Sequence, residues 1–155
     1  MSRKLYRIRD WDTHFENSGS RQLKGTPRWV AVPNKHDGEG YLLLVVAHDA
    51  GPAHFGAWNV ILQVASKCVP RGTLIRDNGT PHTALTISIK TSFPKEIIAA
   101  ALDRLVSEDI SWMEELDFDT WASKHLKGHK ETPVSEPKQE RAKRPNRPRQ
   151  SGGKS

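Results

Sequence analysis

Apolar residues in the second half of this chain recur with a clear helical period. Ile98, Ala101, Leu102 and Leu105 fall at i, i+3, i+4 and i+7, the spacing that lays one helix face against a core. Just before them, Ala84, Leu85, Ile87 and Ile89 predict a shorter helix, broken by Thr91-Ser92-Phe93-Pro94. Pro94 suits the first turn of the second helix, where its missing N–H goes unwanted, and Ser92 is the expected cap. Glu96 near the start and Arg104 near the end complement the helix dipole. Ile110-Ser111-Trp112-Met113 then reads as a short extended segment. Upstream, Phe55, Trp58, Leu62 and Ala65 line one face of a helix predicted from about Asp49 to Lys67. Val60, Ile61 and Val64 cover much of its remainder, so it is expected to be central. Thr73–Arg76 is a strand candidate closed by the Asp77-Asn78-Gly79 turn.

Helix, short strand, helix, turn, helix, strand is the outline of a winged helix, with Leu74–Arg76 expected to pair with Ile110–Met113. Ahead of it, alternation over Lys4–Arg9 predicts one strand and Trp29-Val-Ala-Val-Pro33 a second, paired as a small N-terminal β element. Trp11 and Phe15 share a face if they stand on a helical turn. Asn17–Ser20 reads as a loop and Asn34–Gly40 as a polar turn. Tyr41–Ala47 is apolar throughout and too short for its period to separate helix from strand. Asp119–Leu126 predicts a last helix, with Trp121 folding back on the domain. The fold class is therefore α+β: a winged helix with a short β wing, a small N-terminal β element and a disordered basic tail. Its parts are an N-terminal extension over 1–50, the winged helix over 51–126 and the tail over 127–155.

Charge sharpens this division. The net +6 lies wholly in 127–155, where nine Lys or Arg meet three Glu, while residues 1–126 hold fifteen of each sign. The tail has no aromatic residue and is broken by prolines, so it cannot bury enough apolar area to offset the entropy of ordering. Cys68 is the only cysteine, which excludes an intramolecular disulfide and a cysteine-built zinc site. Its apolar surroundings predict a buried, inert thiol. No apolar run approaches the roughly 18 residues of a membrane span, and the start lacks a signal-peptide core. The expected protein is soluble and cytoplasmic, with no membrane partner.

Spaced blocks of residues carry a resemblance. Trp11…His14-Phe15-Glu16-Asn17, then Trp29-Val30…Val32-Pro33-Asn34-Lys35-His36-Asp37-Gly38-Glu39-Gly40-Tyr41, form its first half. His54-Phe55-Gly56-Ala57-Trp58, Leu62–Lys67 and Arg71-Gly72-Thr73-Leu74 form its second. Over about residues 5–116 the chain resembles a family of phage and prophage proteins. Its C-terminal half is similar to the winged-helix N-terminal modules of phage replisome organisers and primosomal replication proteins. The resemblance implies a role in phage DNA replication or its control, in the cytoplasm of a bacterial host. It carries over no catalytic residue, and a larger replication domain is not expected within this sequence.

Motifs for catalysis are missing: there is no nucleophile elbow, P-loop, dinucleotide fingerprint or His-Glu-x-x-His. His36, Asp37 and Glu39 match no calcium loop, and His125 and His129 flank Gly128, which disfavours a metal-binding helix. The carboxylates between Asp103 and Asp119 read as a solvated acidic face rather than a catalytic pair. No enzyme, cofactor or metal is expected. For double-stranded DNA, the candidate contacts are Lys90, Ser92 and Lys95 around the turn, with Arg71 and Arg76 on the flanking strand. Against them stand the acidic Glu108, Asp109, Glu114, Glu115, Asp117 and Asp119, which repel phosphate from a wing. In the tail, Arg141, Lys143, Arg144, Arg147 and Arg149 form a cationic arm suited to sequence-independent binding. Two functions stay open: a non-enzymatic DNA-binding protein of replication, or an adaptor whose winged helix holds a replication protein while its tail touches nucleic acid. Neither target site, partner nor oligomeric state is written in the sequence.

Overall fold

A computed structural model describes residues 2–126 of the chain; the expected tail and its five candidate cations lie outside the described residues. The architecture is mixed α+β, with helices packed round a central one and a small two-stranded sheet. Helix α4, Gly51–Lys67, is that centre. Ala57, Ile61, Leu62 and Ala65 on it are fully buried, as the nearly all-round apolar pattern predicts. Helix α5, Ala84–Thr91, and helix α6, Lys95–Leu105, pack on each other and on α4, and α6 turns Ile98, Ala101, Leu102 and Leu105 inward. The expected helix pair and the phase of the second helix both hold.

The turn between them differs from expectation. Ser92 is not a cap for α6; it closes α5 in a left-handed conformation, φ 57°. The residue before α6 is Pro94, which offers no side-chain acceptor. The hydroxyl cap falls instead at the start of α5. There Thr83 and Thr86 exchange side-chain and backbone hydrogen bonds in a capping box, 2.8 Å and 3.3 Å.

Before α4 the ambiguous apolar stretch is helical. A short turn α3, Glu39–Tyr41, runs into a π-helical turn over Leu42–Val46. The chain leaves the helix at Ala47, so the Leu43 and Leu44 carbonyls have no regular helical N–H ahead of them. The Arg104 guanidinium supplies the donors, at 2.7 Å and 2.8 Å. Arg104 therefore acts through hydrogen bonds to another element rather than only through the dipole of its own helix.

The sheet is where the sequence misleads most. Strand β1, Lys4–Ile8, forms as expected, but its antiparallel partner is β2, Met113–Asp117, in the register Leu5 opposite Leu116 and Ile8 opposite Met113. Trp29–Pro33 forms no strand, and Trp29 is 75% exposed. The Leu74–Arg76 segment does not pair with Ile110–Met113. It lies against the other edge of β1, with Leu74 N–H bonded to the Tyr6 carbonyl at 2.9 Å and Ile75 bridged to Pro81. β1 thus stands between the two segments expected to meet. Ile110 to Trp112 form a bend rather than a strand, with Ser111 left-handed at φ 52°.

Near the N-terminus, α1, Trp11–His14, stacks Trp11 on Phe15 at 5.0 Å, the shared face expected. The Asn17–Ser20 loop is instead a helical turn, α2, Ser18–Arg21, because Asn17 and Ser20 form a capping box. Helix α7, Phe118–His125, folds Trp121 back into a second small core with Leu5, Ile75 and Phe118. The larger core draws on both sides of position 50, from Ile8, Trp11 and Leu44 to Met113. Cys68 sits just past the end of α4, and burial pushes its thiol up to about 11, as befits an unreactive side chain. Among the described residues, no helix is long and apolar enough to cross a membrane.

Leu102 tests the packing of α6 on α4. Leu102→Ala should cost about 2–5 kcal/mol, the range for a buried leucine, and Leu102→Asp should abolish a cooperative transition. Urea denaturation of either variant matching the parent would show the helix phase to be wrong.

Candidate nucleic-acid interface

Two of the five predicted contacts on the folded part meet in one place. Arg76 follows the strand-like segment and Lys90 ends α5, and both line an open groove of about 330 Å³ with Asp77, His82, Thr86 and Ile89. The Asp77-Asn78-Gly79 turn brings Arg76 round to α5: Arg76 N–H bonds to the Thr80 carbonyl at 2.7 Å and Gly79 adopts φ 79°. His82 is buried at the floor, its Nδ1 3.0 Å from the Thr86 hydroxyl. Burial lowers its pKa to about 4, helped by the positive charges of Lys90 and Arg76. Asp77 in the same groove acts in the opposite sense. Ser92 and Lys95 lie exposed at the turn and at the start of α6, outside this groove.

Arg71 does not belong with these groups. Its Nε pairs with the Glu16 carboxylate at 2.9 Å, and its guanidinium donates to the Ser20 carbonyl at 2.7 Å. Glu16 has a side chain only 4% exposed and also accepts from Trp11 Nε1 at 2.7 Å and from Ser20. Burial opposes its ionisation, yet the Ser20 and Trp11 hydrogen bonds and the Arg71 charge hold its pKa below the usual carboxylate value. Arg71 ties the N-terminal turns to the loop after α4 and does not line the groove of Arg76 and Lys90.

The acidic strand is also less repulsive than its sequence implies. Because β2 pairs with β1, Arg7 faces Glu114 at 2.5 Å and Lys4 faces Glu115 at 3.1 Å. Arg3 pairs with Asp119 at 2.5 Å, and Asp117 caps α7 through the Thr120 N–H at 2.7 Å. Glu108 and Asp109 remain exposed before the bend.

Sequence reasoning missed an aromatic cleft of about 650 Å³. Phe15, Tyr41, Phe55, Trp58 and Trp112 line it, with Arg9 and Lys35 among the residues at its edge. The rings meet edge-on or tilted: Trp58 and Trp112 lie 5.3 Å apart at 49°, Phe15 and Trp58 6.3 Å apart at 70°. Gly40 permits this packing, since a Cβ there would stand 2.5 Å from the Trp112 indole nitrogen. Asp10 and Ser111, two of the three left-handed non-glycine residues, also line the cleft. These residues come from five separated stretches, so no local motif announces them. One signal was available: residues 17–36 hold Arg21, Lys24, Arg28 and Lys35, the aromatic Trp29, and no Asp or Glu. Among the described residues, no group of three or more His, Cys, Asp or Glu is placed to hold a metal ion.

No known family model, curated protein or solved structure matches the chain.

Arg71→Gln should cost about 2–4 kcal/mol, because it strands the buried Glu16 carboxylate, and should leave nucleic-acid affinity of the folded protein unchanged. Paired urea melts and binding titrations check both halves. His82 sets a pH dependence. In the unfolded chain it takes up a proton near 6.5, whereas in the fold it stays neutral to about 4. The unfolded state thus binds more protons in that window, so stability is full above pH 6.5 and falls towards pH 4 by on the order of 3 kcal/mol. His54, whose pKa burial and then Arg104 also lower, adds in the same direction. His82→Asn should flatten the acid limb; an unchanged slope between pH 7 and 4 would exclude His82 as its source.

Proposed function

We propose that the protein is a non-enzymatic, winged-helix-type module that associates with double-stranded DNA in replication or its control. The observation that carries this reading is the convergence of Arg76 and Lys90 on one groove beside the α5–α6 turn. Two helices joined by a three-residue turn, with cations at the turn, are the arrangement that meets phosphate and base edges. The sheet supports the winged-helix reading in an altered form. The segment after α4, the α5–α6 pair and β2 follow in the expected order, and β1 fills the place between the segment and β2 that a returning wing strand would take. The phage context rests on the resemblance of residues 5–116. In sequence, the tail cations Arg141, Lys143, Arg144, Arg147 and Arg149 supply a further, sequence-independent attraction.

A second reading has its own observation. Leu85 is 50% and Ile89 73% exposed, one turn apart on α5 and beside Lys90. An apolar pair next to a cation suits a protein partner, which is the adaptor reading with DNA left to the tail.

The test is a salt titration of duplex binding with the full chain. Replacing the five tail cations by Gln should reduce the slope of log affinity against log salt by roughly 4–5. Arg76→Gln with Lys90→Gln should reduce it by about 2 and weaken binding several-fold. A phosphate held in the groove should also raise the His82 pKa from about 4, visible in its ring resonances. If the groove variant binds as the parent does and His82 does not move, duplex DNA does not occupy the groove and the adaptor reading stands.

A further inference from the structure

The aromatic cleft has no part in the duplex reading, yet it is about twice the volume of the α5 groove. Its lining is rich in aromatic rings, with Trp58 buried and Phe55, Tyr41 and Trp112 half-buried. Its volume, about 650 Å³, lies within the range of sites that enclose small planar ligands. Arg9 and Lys35 stand at the edge on different segments, against the single carboxylate of Asp10. From Lys35 the chain runs back through an exposed stretch, without regular structure from Leu23 to Pro33, that carries Arg28, Lys24 and Trp29. Over residues 17–36 no acidic residue offsets these cations. Aromatic faces in a recess, joined to a basic track with a further exposed indole, match one ligand chemistry: planar bases strung on a phosphate backbone.

We propose that the cleft takes an unstacked base of single-stranded nucleic acid, its phosphates led along Lys35, Arg28 and Lys24. A duplex keeps its bases stacked inside the helix and cannot present one to a recess, whereas a single strand can splay a base out. The ring pairs favour this occupant. Tyr41 meets Phe55 and Trp58 meets Trp112 edge-on or tilted rather than in parallel stacks, and Tyr41, Phe55 and Trp112 stay half-buried, while Phe15 has one face taken by its stack on Trp11. Arg9 and Lys35 then neutralise the phosphates flanking the inserted base. The left-handed Asp10 and Ser111 hold the two bends that keep Arg9 and Trp112 at the cleft. This site is separate from the α5 groove and does not depend on it.

The experiment compares three probes on the full chain: a ten-residue oligothymidylate, an abasic decamer of equal charge, and free thymidine monophosphate. The tail attracts both decamers equally, so their ratio isolates the bases. The oligothymidylate should bind roughly tenfold or more tighter than the abasic strand, the factor that one stacked base supplies. Lys35→Glu and, separately, Tyr41→Leu should bring that ratio close to one with the thermal melt of the Lys35 variant unchanged, since Lys35 is exposed. Arg76→Gln with Lys90→Gln should leave the ratio as it is, which separates this site from the duplex reading. Equal affinity for the two decamers, or a ratio indifferent to Lys35→Glu, would overturn the proposal. Thymidine monophosphate binding as tightly as the decamer would also overturn it, in favour of a free nucleotide.

Discussion

Helix α4 can be stable only if something covers nearly its whole circumference. Of its seventeen residues, Ala57, Ile61, Leu62 and Ala65 are at zero exposure, and only a narrow stripe with Pro52, Gln63 and Lys67 is left to solvent. Each neighbouring element answers a part of that demand: α6 and α5 on one side, the π-helical turn on another, Trp58 reaching to Phe15 and Trp112. The demand reaches polar groups as well. Arg104 enters this layer because the Leu43 and Leu44 carbonyls and His54 Nδ1 accept its hydrogen bonds, so a half-buried cation becomes a connector between α6, α4 and the turn before it.

The position of β1 has the next largest consequence. By standing between the Thr73–Ile75 segment and β2, it brings a strand with Arg7 and Lys4 against one with Glu114 and Glu115. Cations and carboxylates that look like independent surface charge in the sequence are spent on each other. Exposed pairs of this kind add little stability, but they offset much of the negative charge of β2. The Glu16–Arg71 pair likewise offsets a carboxylate at a buried site. Among the described residues, the cations gathered at cavities are Arg76 with Lys90 in one groove and Arg9 with Lys35 at the aromatic cleft.

The two surfaces differ in chemistry. The groove sets cations beside a buried imidazole, which is the basis of the proposed contact with a duplex backbone. The cleft is lined by rings, which is the basis of the proposed capture of a base taken out of its stack. The two proposals rest on different residues and neither requires the other.

Where burial and period coincide, the sequence was enough. The faces of α4 and α6, the Trp11–Phe15 turn, the return of Trp121 and the inert Cys68 follow from apolar spacing alone, because a helix core face is a local property of the chain. Cap and turn chemistry was half legible. Thr83 and Thr86 have the right types for a capping box, but Ser92 looks equally suited to a cap until Pro94 and the left-handed turn take that place. Strand pairing was not legible. Lys4–Ile8 alternates clearly, yet nothing local distinguishes Trp29–Pro33 from Met113–Asp117 as its partner; that choice depends on which strand the helices carry to it. The fates of the charges follow from the same choice. Arg71 and Arg76 are similar letters five positions apart, and only the fold buries one against Glu16 and leaves the other beside Lys90. The aromatic cleft is the extreme case. Its rings are scattered from Phe15 to Trp112, and a cavity is a property of the space between segments, which no single segment encodes.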